Sequence, residues 1–149
     1  MDNESNILLH KLEEENNGKI IFKTYALYPG KSGKKSPNLG GLLYVVGDLL
    51  IFEDFERQGG MMQLLVKRKE KYEKTKFSFK LSDISRVYSV TRSAAVKAVK
   101  YHADPGTIQP ASPVTRFLQR TISQLLMEDG SAYYFELFDE KNFKLLING

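Results

Sequence analysis

Lysine, serine and glycine at positions 28–37, which read YPGKSGKKSP, are residue types that bind phosphate groups. A nucleotide-binding P-loop needs the spacing G-x-x-x-x-G-K-[ST] and a helix directly after it, because the helix N-terminus binds the phosphate. Here the position five residues before Gly33 is Tyr28, and Lys34 is followed by another lysine. A proline and two glycines come next, which do not favour a helix. The spacing therefore excludes a nucleotide-binding loop and leaves a loop that presents lysines.

A second basic stretch covers residues 67–80 and contains seven basic residues against two glutamates. Flexible lysines attract anionic lipid headgroups as point charges, each worth about 1 kcal/mol near the surface. If the two stretches converge at one end of the fold, they form a binding surface for an anionic membrane or an acidic protein. The residues predicted for this contact are Lys31, Lys34, Lys35, Lys67, Arg68, Lys69, Lys71 and Lys74. Solvated hairpin tips carry similar basic runs, so that interpretation stays open beside the binding one.

Catalytic and metal-binding patterns are not evident in the sequence. The chain has two histidines, His10 and His102, no cysteine, and neither an HExxH nor a GxSxG motif. Helix capping accounts for the acidic pair at 139–140, and the charged rim of a hairpin accounts for the pair at 128–129. We therefore predict no catalytic residue, no metal site and no cofactor; an acid–base pair assembled across strands is the one alternative left open.

Nucleic-acid binding would require aromatic side chains for base stacking among the basic residues. Tyr72 is the one aromatic residue in the basic tip KRKEKYEKTK, and Arg68 is its one arginine. Nucleic acid is therefore a less favoured partner than a membrane surface or a protein.

The chain of 149 residues is of the size of one domain, and its charge is unevenly distributed. Residues 1–16 carry five acids and one lysine, and residues 128–140 carry five acids and no base, although the net charge is +4. Such segregation gives an oriented field that steers charged partners. No apolar run reaches the roughly 20 residues of a membrane span, and the acidic N-terminus differs from a signal peptide. We expect a cytoplasmic protein with a peripheral membrane association.

Alternation of apolar and polar residues predicts strands along much of the chain after residue 17, whereas residues 1–17 predict a short or frayed helix. The Pro29–Gly41 stretch predicts a loop. Gly47-Asp48 predicts a hairpin with a type II′ turn. The first six strands are expected at 20–26, 42–46, 49–55, 62–69, 74–81 and about 85–91.

The C-terminal third combines helix and hairpin signals. We divide residues 113–127 into a short helix near 113–119 and a strand near 120–127, because Asp129-Gly130 predicts a type I′ hairpin that needs an incoming strand. A strand at 132–138 follows, and Asp139 is expected to cap a helix with Phe143, Leu146 and Ile147 on one face. Residues 93–113 predict a long connection without a definite element.

Three ordered motifs and a terminal amphipathic helix resemble a known superfold. They are G-x-L-Y-V-V-G-D-L-L-I-F-E at 41–53, F-x-F-K-L-S-D-I-S-R-V at 77–87 and L-x-M-E-D-G-S-A-Y-Y-F-E-L at 125–137. The pattern is similar to the GRAM and bacterial members of the pleckstrin-homology-like (PH-like) superfold, over roughly residues 18–147. The long 91–113 connection and the short final helix depart from the usual pattern.

The resemblance implies a mainly β fold, a PH-like partly open seven-stranded antiparallel barrel or sandwich with a C-terminal capping helix. It divides the chain into an N-terminal segment, 1–17, and a PH-like domain, 18–149. It further implies a non-catalytic binding or adaptor module for lipid headgroups or protein partners, in which lipid-binding members commonly use the loop between the first two strands. The family's phosphoinositide pattern places a basic residue on the second strand, and residues 42–46 contain none. The alternative is a protein–protein interaction module that uses a strand edge or the acidic N-terminal segment.

Overall fold

The computed structural model describes residues 3–54, 75–101, 104–118 and 121–148. These residues form a mainly β structure with one seven-stranded antiparallel sheet and four α-helices. The strands are β1 (Ile20–Lys31), β2 (Lys34–Val46), β3 (Leu49–Asp54), β4 (Lys76–Lys80), β5 (Ile84–Thr91), β6 (Thr121–Met127) and β7 (Ala132–Leu137). The helices are α1 (Asn3–Glu15), α2 (Arg92–Tyr101), α3 (Pro113–Leu118) and α4 (Glu140–Asn148). None of the helices in these ranges has the length and apolar character needed to cross a membrane.

The sheet has the strand order β4-β3-β2-β1-β7-β6-β5 and is strongly curved. Neighbouring strands lie about 4.8 Å apart, so a flat sheet would separate β4 from β7 by roughly 19 Å. Instead the ring centroids of Phe79 on β4 and Tyr133 on β7 are 4.7 Å apart, and those of Phe52 and Phe135 are 5.5 Å apart. The concave face therefore encloses the main core, which includes Ala26, Tyr28, Leu43, Val45, Leu50, Phe52, Val87, Leu125, Phe135 and Phe143.

Helix α4 contributes to this core from the C-terminal end of the chain. The Asp139 carboxylate accepts a hydrogen bond from the Asn142 amide at 3.3 Å, as a helix N-cap does. Phe143 is fully buried, and its ring centroid lies 5.9 Å from that of Phe22. The prediction of a capped helix with Phe143 facing the core is confirmed.

Two helices cover the convex face. Leu12 of α1 is buried against Leu42, Tyr44 and other apolar residues of β2 and β3. Ala98 and Val99 of α2 pack on residues of β5, β6 and β7. The N-terminal residues expected as a short or frayed helix thus form a docked helix.

The prediction of a loop at Pro29–Gly41 is wrong, because these residues continue the two strands of the first hairpin. β1 extends to Lys31 and β2 begins at Lys34, so the turn consists only of Ser32 and Gly33. The β1–β2 pairing is interrupted between the Tyr28–Leu39 and Gly30–Lys35 pairs. Both prolines of the stretch lie in this irregular part, where a missing N–H does not break a regular ladder.

The other hairpin predictions are largely confirmed. Gly47 has a φ of +59°, which a type II′ turn requires of its first residue. The division of residues 113–127 into α3 and β6 is correct, and Phe77 and Phe79 of β4 face the core. Within the unassigned connection, α2 and a 3₁₀ turn at Pro105–Thr107 are present. The predicted strand at 62–69 and the tip at 67–74 lie outside the described residues.

The turn between β6 and β7 differs from the predicted type I′ turn. Three residues, 128–130, separate Met127 from Ser131, and the Met127 amide donates to the Ser131 carbonyl at 2.8 Å. Gly130 has a φ of +88°. The Asp129 carboxylate accepts from the Ser131 amide at 2.9 Å, and this local bond favours the longer turn.

Candidate functional site

The β1–β2 turn is held by hydrogen bonds to two other elements. The Ser32 amide donates to the Ala132 carbonyl at 2.7 Å, and the Ala132 amide donates to Ser32 Oγ at 3.0 Å. The Gly33 amide donates to the Ala98 carbonyl of α2 at 2.9 Å. The turn that carries the first candidate lysines is therefore fixed against β7 and α2.

Lys31 lies among acidic and aromatic side chains. Its Nζ is 5.1 Å from the centroid of the Tyr133 ring. Hydrogen bonds from Ser131 hold the pKa of Asp129 below its usual value, and the Lys31 ammonium contributes in the same direction. Lys31 also lines a cavity whose rim carries carboxylates. Its charge is therefore partly balanced within the fold, whereas Lys34, its neighbour across the turn, is exposed.

The remaining predicted residues are not brought into a common site by the described structure. Lys35 belongs to β2 and pairs with Gly30 of β1. The positions Lys67, Arg68, Lys69, Lys71 and Lys74 lie outside the described residues.

The strand order defines where the connection between β3 and β4 starts and ends. Asp54 and Thr75, which flank it, lie at the same end of the meander as the β1–β2 turn. Asp54 pairs with Gly41, and six residues of β2 lie between Gly41 and Lys34. At about 3.3 Å per residue, the β1–β2 turn therefore lies roughly 20 Å along β2 from Gly41.

Sequence reasoning missed two lysines that the fold brings to the same turn. Lys97 and Lys100 flank the residues through which α2 contacts Gly33, and both are exposed. Val96 and Tyr101 are 38% and 71% exposed on the same helix, which contains no acidic residue. We call Lys34, Val96, Lys97, Lys100 and Tyr101 the turn–helix face. The sequence signal was AAVKAVKY, which fits a helix as well as a strand.

A polar cluster away from the turn–helix face joins α4 to the sheet. Ser89 Oγ donates to Glu140 Oε1 at 2.9 Å, and Ser123 Oγ donates to Glu140 Oε2 at 2.6 Å. Lys144 Nζ donates to Ser89 Oγ and lies 3.6 Å from Glu140 Oε1. Burial alone would raise the pKa of Glu140, but these hydrogen bonds and the Lys144 charge hold it below its usual value. Both serines are buried with their hydroxyls directed at Glu140, so the cluster fixes the start of α4.

Another polar cluster lies beneath α1. The Tyr44 hydroxyl donates to Glu53 Oε2 and accepts from Asn16 Nδ2 at 3.2 Å, while Lys76 Nζ lies 3.7 Å from Glu53 Oε2. Burial and the Glu53 carboxylate raise the pKa of Tyr44. These bonds connect the end of α1 to β2 and β3. Across the parts of the chain that the structure describes, no group of three or more histidine or acidic residues is arranged to hold a metal ion.

No protein-family model matches the chain, and no curated protein sequence matches it.

Proposed function

We propose that the chain is a non-catalytic binding module that associates with an anionic membrane surface through the turn–helix face. The observation that carries this proposal is the 2.9 Å hydrogen bond between the Gly33 amide and the Ala98 carbonyl. This contact brings the exposed Lys34 to the end of α2, where Lys97 and Lys100 are also exposed.

The composition of the face supports a membrane surface. Lysines act on anionic headgroups over a Debye length, and no acidic residue of α2 opposes them. Tyr101 and Val96 add apolar surface beside these charges, and tyrosine is well suited to the level of the headgroups because its ring is apolar and its hydroxyl is polar.

A PH-like fold is part of the proposal. Seven antiparallel strands in one curved sheet and a C-terminal helix that buries Phe143 in the concave core support it. The sequence motifs at 41–53, 77–87 and 125–137 are the further support, since they fall on β2–β3, β4–β5 and β6–β7.

Co-sedimentation with vesicles of phosphatidylserine and phosphatidylcholine tests the membrane proposal. We expect binding at low salt that weakens at high salt, because salt screens exposed charges. The triple variant Lys34→Gln, Lys97→Gln, Lys100→Gln should bind roughly a hundredfold more weakly, at about 1 kcal/mol for each lysine.

The matched control replaces three exposed lysines elsewhere, Lys19, Lys80 and Lys141, by glutamine. It removes the same charge and should retain most of the binding. Equal losses in the two triple variants would show that net charge alone drives association. Absence of any binding to the anionic vesicles would refute the membrane proposal.

An exposed aromatic pair favours a second candidate function, a protein-interaction module. Tyr25 and Phe138 are 57% and 71% exposed, and their ring centroids lie 6.0 Å apart in an edge-on arrangement. Ile21, on the same side of β1, is also exposed. Contiguous exposed apolar groups are typical of protein contacts. Self-association in sedimentation velocity that is lost in the double variant Tyr25→Ser, Phe138→Ser would favour this function.

A further inference from the structure

A cavity of about 350 Å³ opens where β4, β7 and the β6–β7 turn meet. Its volume lies at the small end of the roughly 300–1,000 Å³ typical of ligand pockets. Phe79 and Tyr133 line it with ring centroids 4.7 Å apart, and Met127 adds a further apolar wall. The cavity therefore has an aromatic interior large enough for a side chain.

The charges around the opening are predominantly negative. Asp83, Glu128 and Asp129 line the cavity with exposed carboxylates. Among the described lining residues, Lys31 supplies the only positive charge. An anion entering the cavity would meet one ammonium and three carboxylates, whereas a cation would meet a favourable field.

Lys31 already shows how this cavity holds a cation. Its ammonium lies 5.1 Å from the Tyr133 ring centroid, within the distance of a cation–π interaction. It is also close enough to Asp129 to favour the ionised carboxylate. The same two partners, an aromatic face and a carboxylate, suit the guanidinium group of arginine.

We propose that this cavity binds a basic side chain, arginine or lysine, of a protein partner, and that the incoming cation displaces Lys31 from the face of Tyr133. The proposal goes beyond association with an anionic surface and does not depend on it, since none of the cavity residues belongs to the turn–helix face. Aromatic walls favour an organic cation over a metal ion.

NMR titration of the full chain with the peptide acetyl-Gly-Arg-Gly-amide tests the proposal. We expect amide shifts at Lys31, Ser131 and Tyr133 at millimolar peptide. The matched peptide with citrulline, a neutral isostere of arginine, should cause no such shifts. Equal shifts with both peptides, or none with the arginine peptide, would overturn the proposal. n-Butylguanidinium tests a free small-molecule guanidinium in place of an arginine side chain, and tighter binding of this compound than of the peptide would overturn the choice of a protein ligand.

Three variants test the roles of individual residues. Lys31→Met should tighten peptide binding roughly two- to fivefold, because the resident cation no longer competes for the ring. Glu128→Gln should weaken it, whereas Glu14→Gln, which removes the same charge from an exposed site on α1, should leave it unchanged. Weaker binding to Lys31→Met than to the wild-type chain, or equal effects of the two glutamine substitutions, would contradict the proposal.

Discussion

At Gly41 the backbones of β2 and β3 approach each other closely. A β carbon at this position would lie 2.3 Å from the Glu53 carbonyl oxygen and 2.9 Å from the Asp54 Cα atom. Both are backbone atoms of a buried strand, so they cannot move aside as a flexible side chain would. The adjacent Gly40 has its nearest neighbour, a Leu27 methyl group, at 3.6 Å.

The two glycines therefore make a matched pair for mutagenesis. Gly41→Ala should lower the free energy of unfolding by about 1–3 kcal/mol, because the added methyl group forces the strands apart. Gly40→Ala should be neutral or stabilise by up to about 1 kcal/mol, because glycine in a strand costs conformational entropy. Urea denaturation of both variants checks this, and equal effects would contradict the steric explanation.

At the scale of elements, the start of α4 depends on one carboxylate that serves two strands. Glu140 accepts hydrogen bonds from Ser89 of β5 and Ser123 of β6, and it is paired with Lys144 one turn later. The hydrogen bonds and the ion pair favour the ionised form, so the pKa of Glu140 in the folded chain lies below its usual value.

Glu140→Gln should destabilise the fold near pH 7 by about 1–3 kcal/mol, because an amide replaces one accepting oxygen with a donor. A lowered folded-state pKa gives stability that is present above the pKa of the unfolded chain and lost as pH falls through the folded value. The difference between wild type and variant should therefore shrink toward about pH 3. Denaturant unfolding at both pH values checks this, with the exposed Glu14→Gln as the control. A constant difference would contradict the role of the charge.

The elements differ in how well the sequence predicts them, and the difference follows the range of the interactions. The Gly47 turn, the Asp139 cap and the alternation of β4 are set by neighbouring residues, and they are predicted correctly. The extension of β1 and β2 to a two-residue turn is not predicted, because it depends on contacts of Ser32 with Ala132, 100 residues away.

The site residues follow the same rule. Lysine-rich stretches identify Lys31 and Lys34 as candidates, but the sequence does not reveal that Lys31 meets Tyr133 while Lys34 is exposed. Lys97 and Lys100 were missed because their significance comes only from the contact of α2 with the β1–β2 turn. Residue type is a local property, whereas membership of a site depends on tertiary contacts.

At the scale of the whole molecule, the residues that the structure describes form three apolar clusters, and each contains a buried tyrosine. Tyr28 lies in the concave core, Tyr44 beneath α1 and Tyr134 beneath α2. Burial, with repulsion from Tyr133, raises the pKa of Tyr28 to about 12, and burial also raises the pKa of Tyr44 and of Tyr134. The folded chain thus favours the neutral phenol in all three clusters.

Alkaline pH should consequently unfold the molecule as a unit. Raised folded-state pKa values give stability that is fully present below about pH 10, the value for unfolded tyrosine, and lost as pH rises toward the folded values. Tyrosinate absorbance, followed together with circular dichroism, should show these tyrosines ionising only as the sheet unfolds. Ionisation of all tyrosines near pH 10 in a folded chain would contradict this expectation.

The pairing of β1 with β7 also has a consequence for the order in which the chain folds. The β1–β2, β2–β3 and β6–β7 hairpins join strands through short turns, but Ser32 and Ala132 are 100 residues apart. Long-range pairing of this kind slows folding, because loop-closure entropy is lost before the contact forms. During synthesis, the edge of β1 therefore stays open until β7 has left the ribosome. In that interval the nascent sheet exposes unpaired backbone groups and is vulnerable to aggregation.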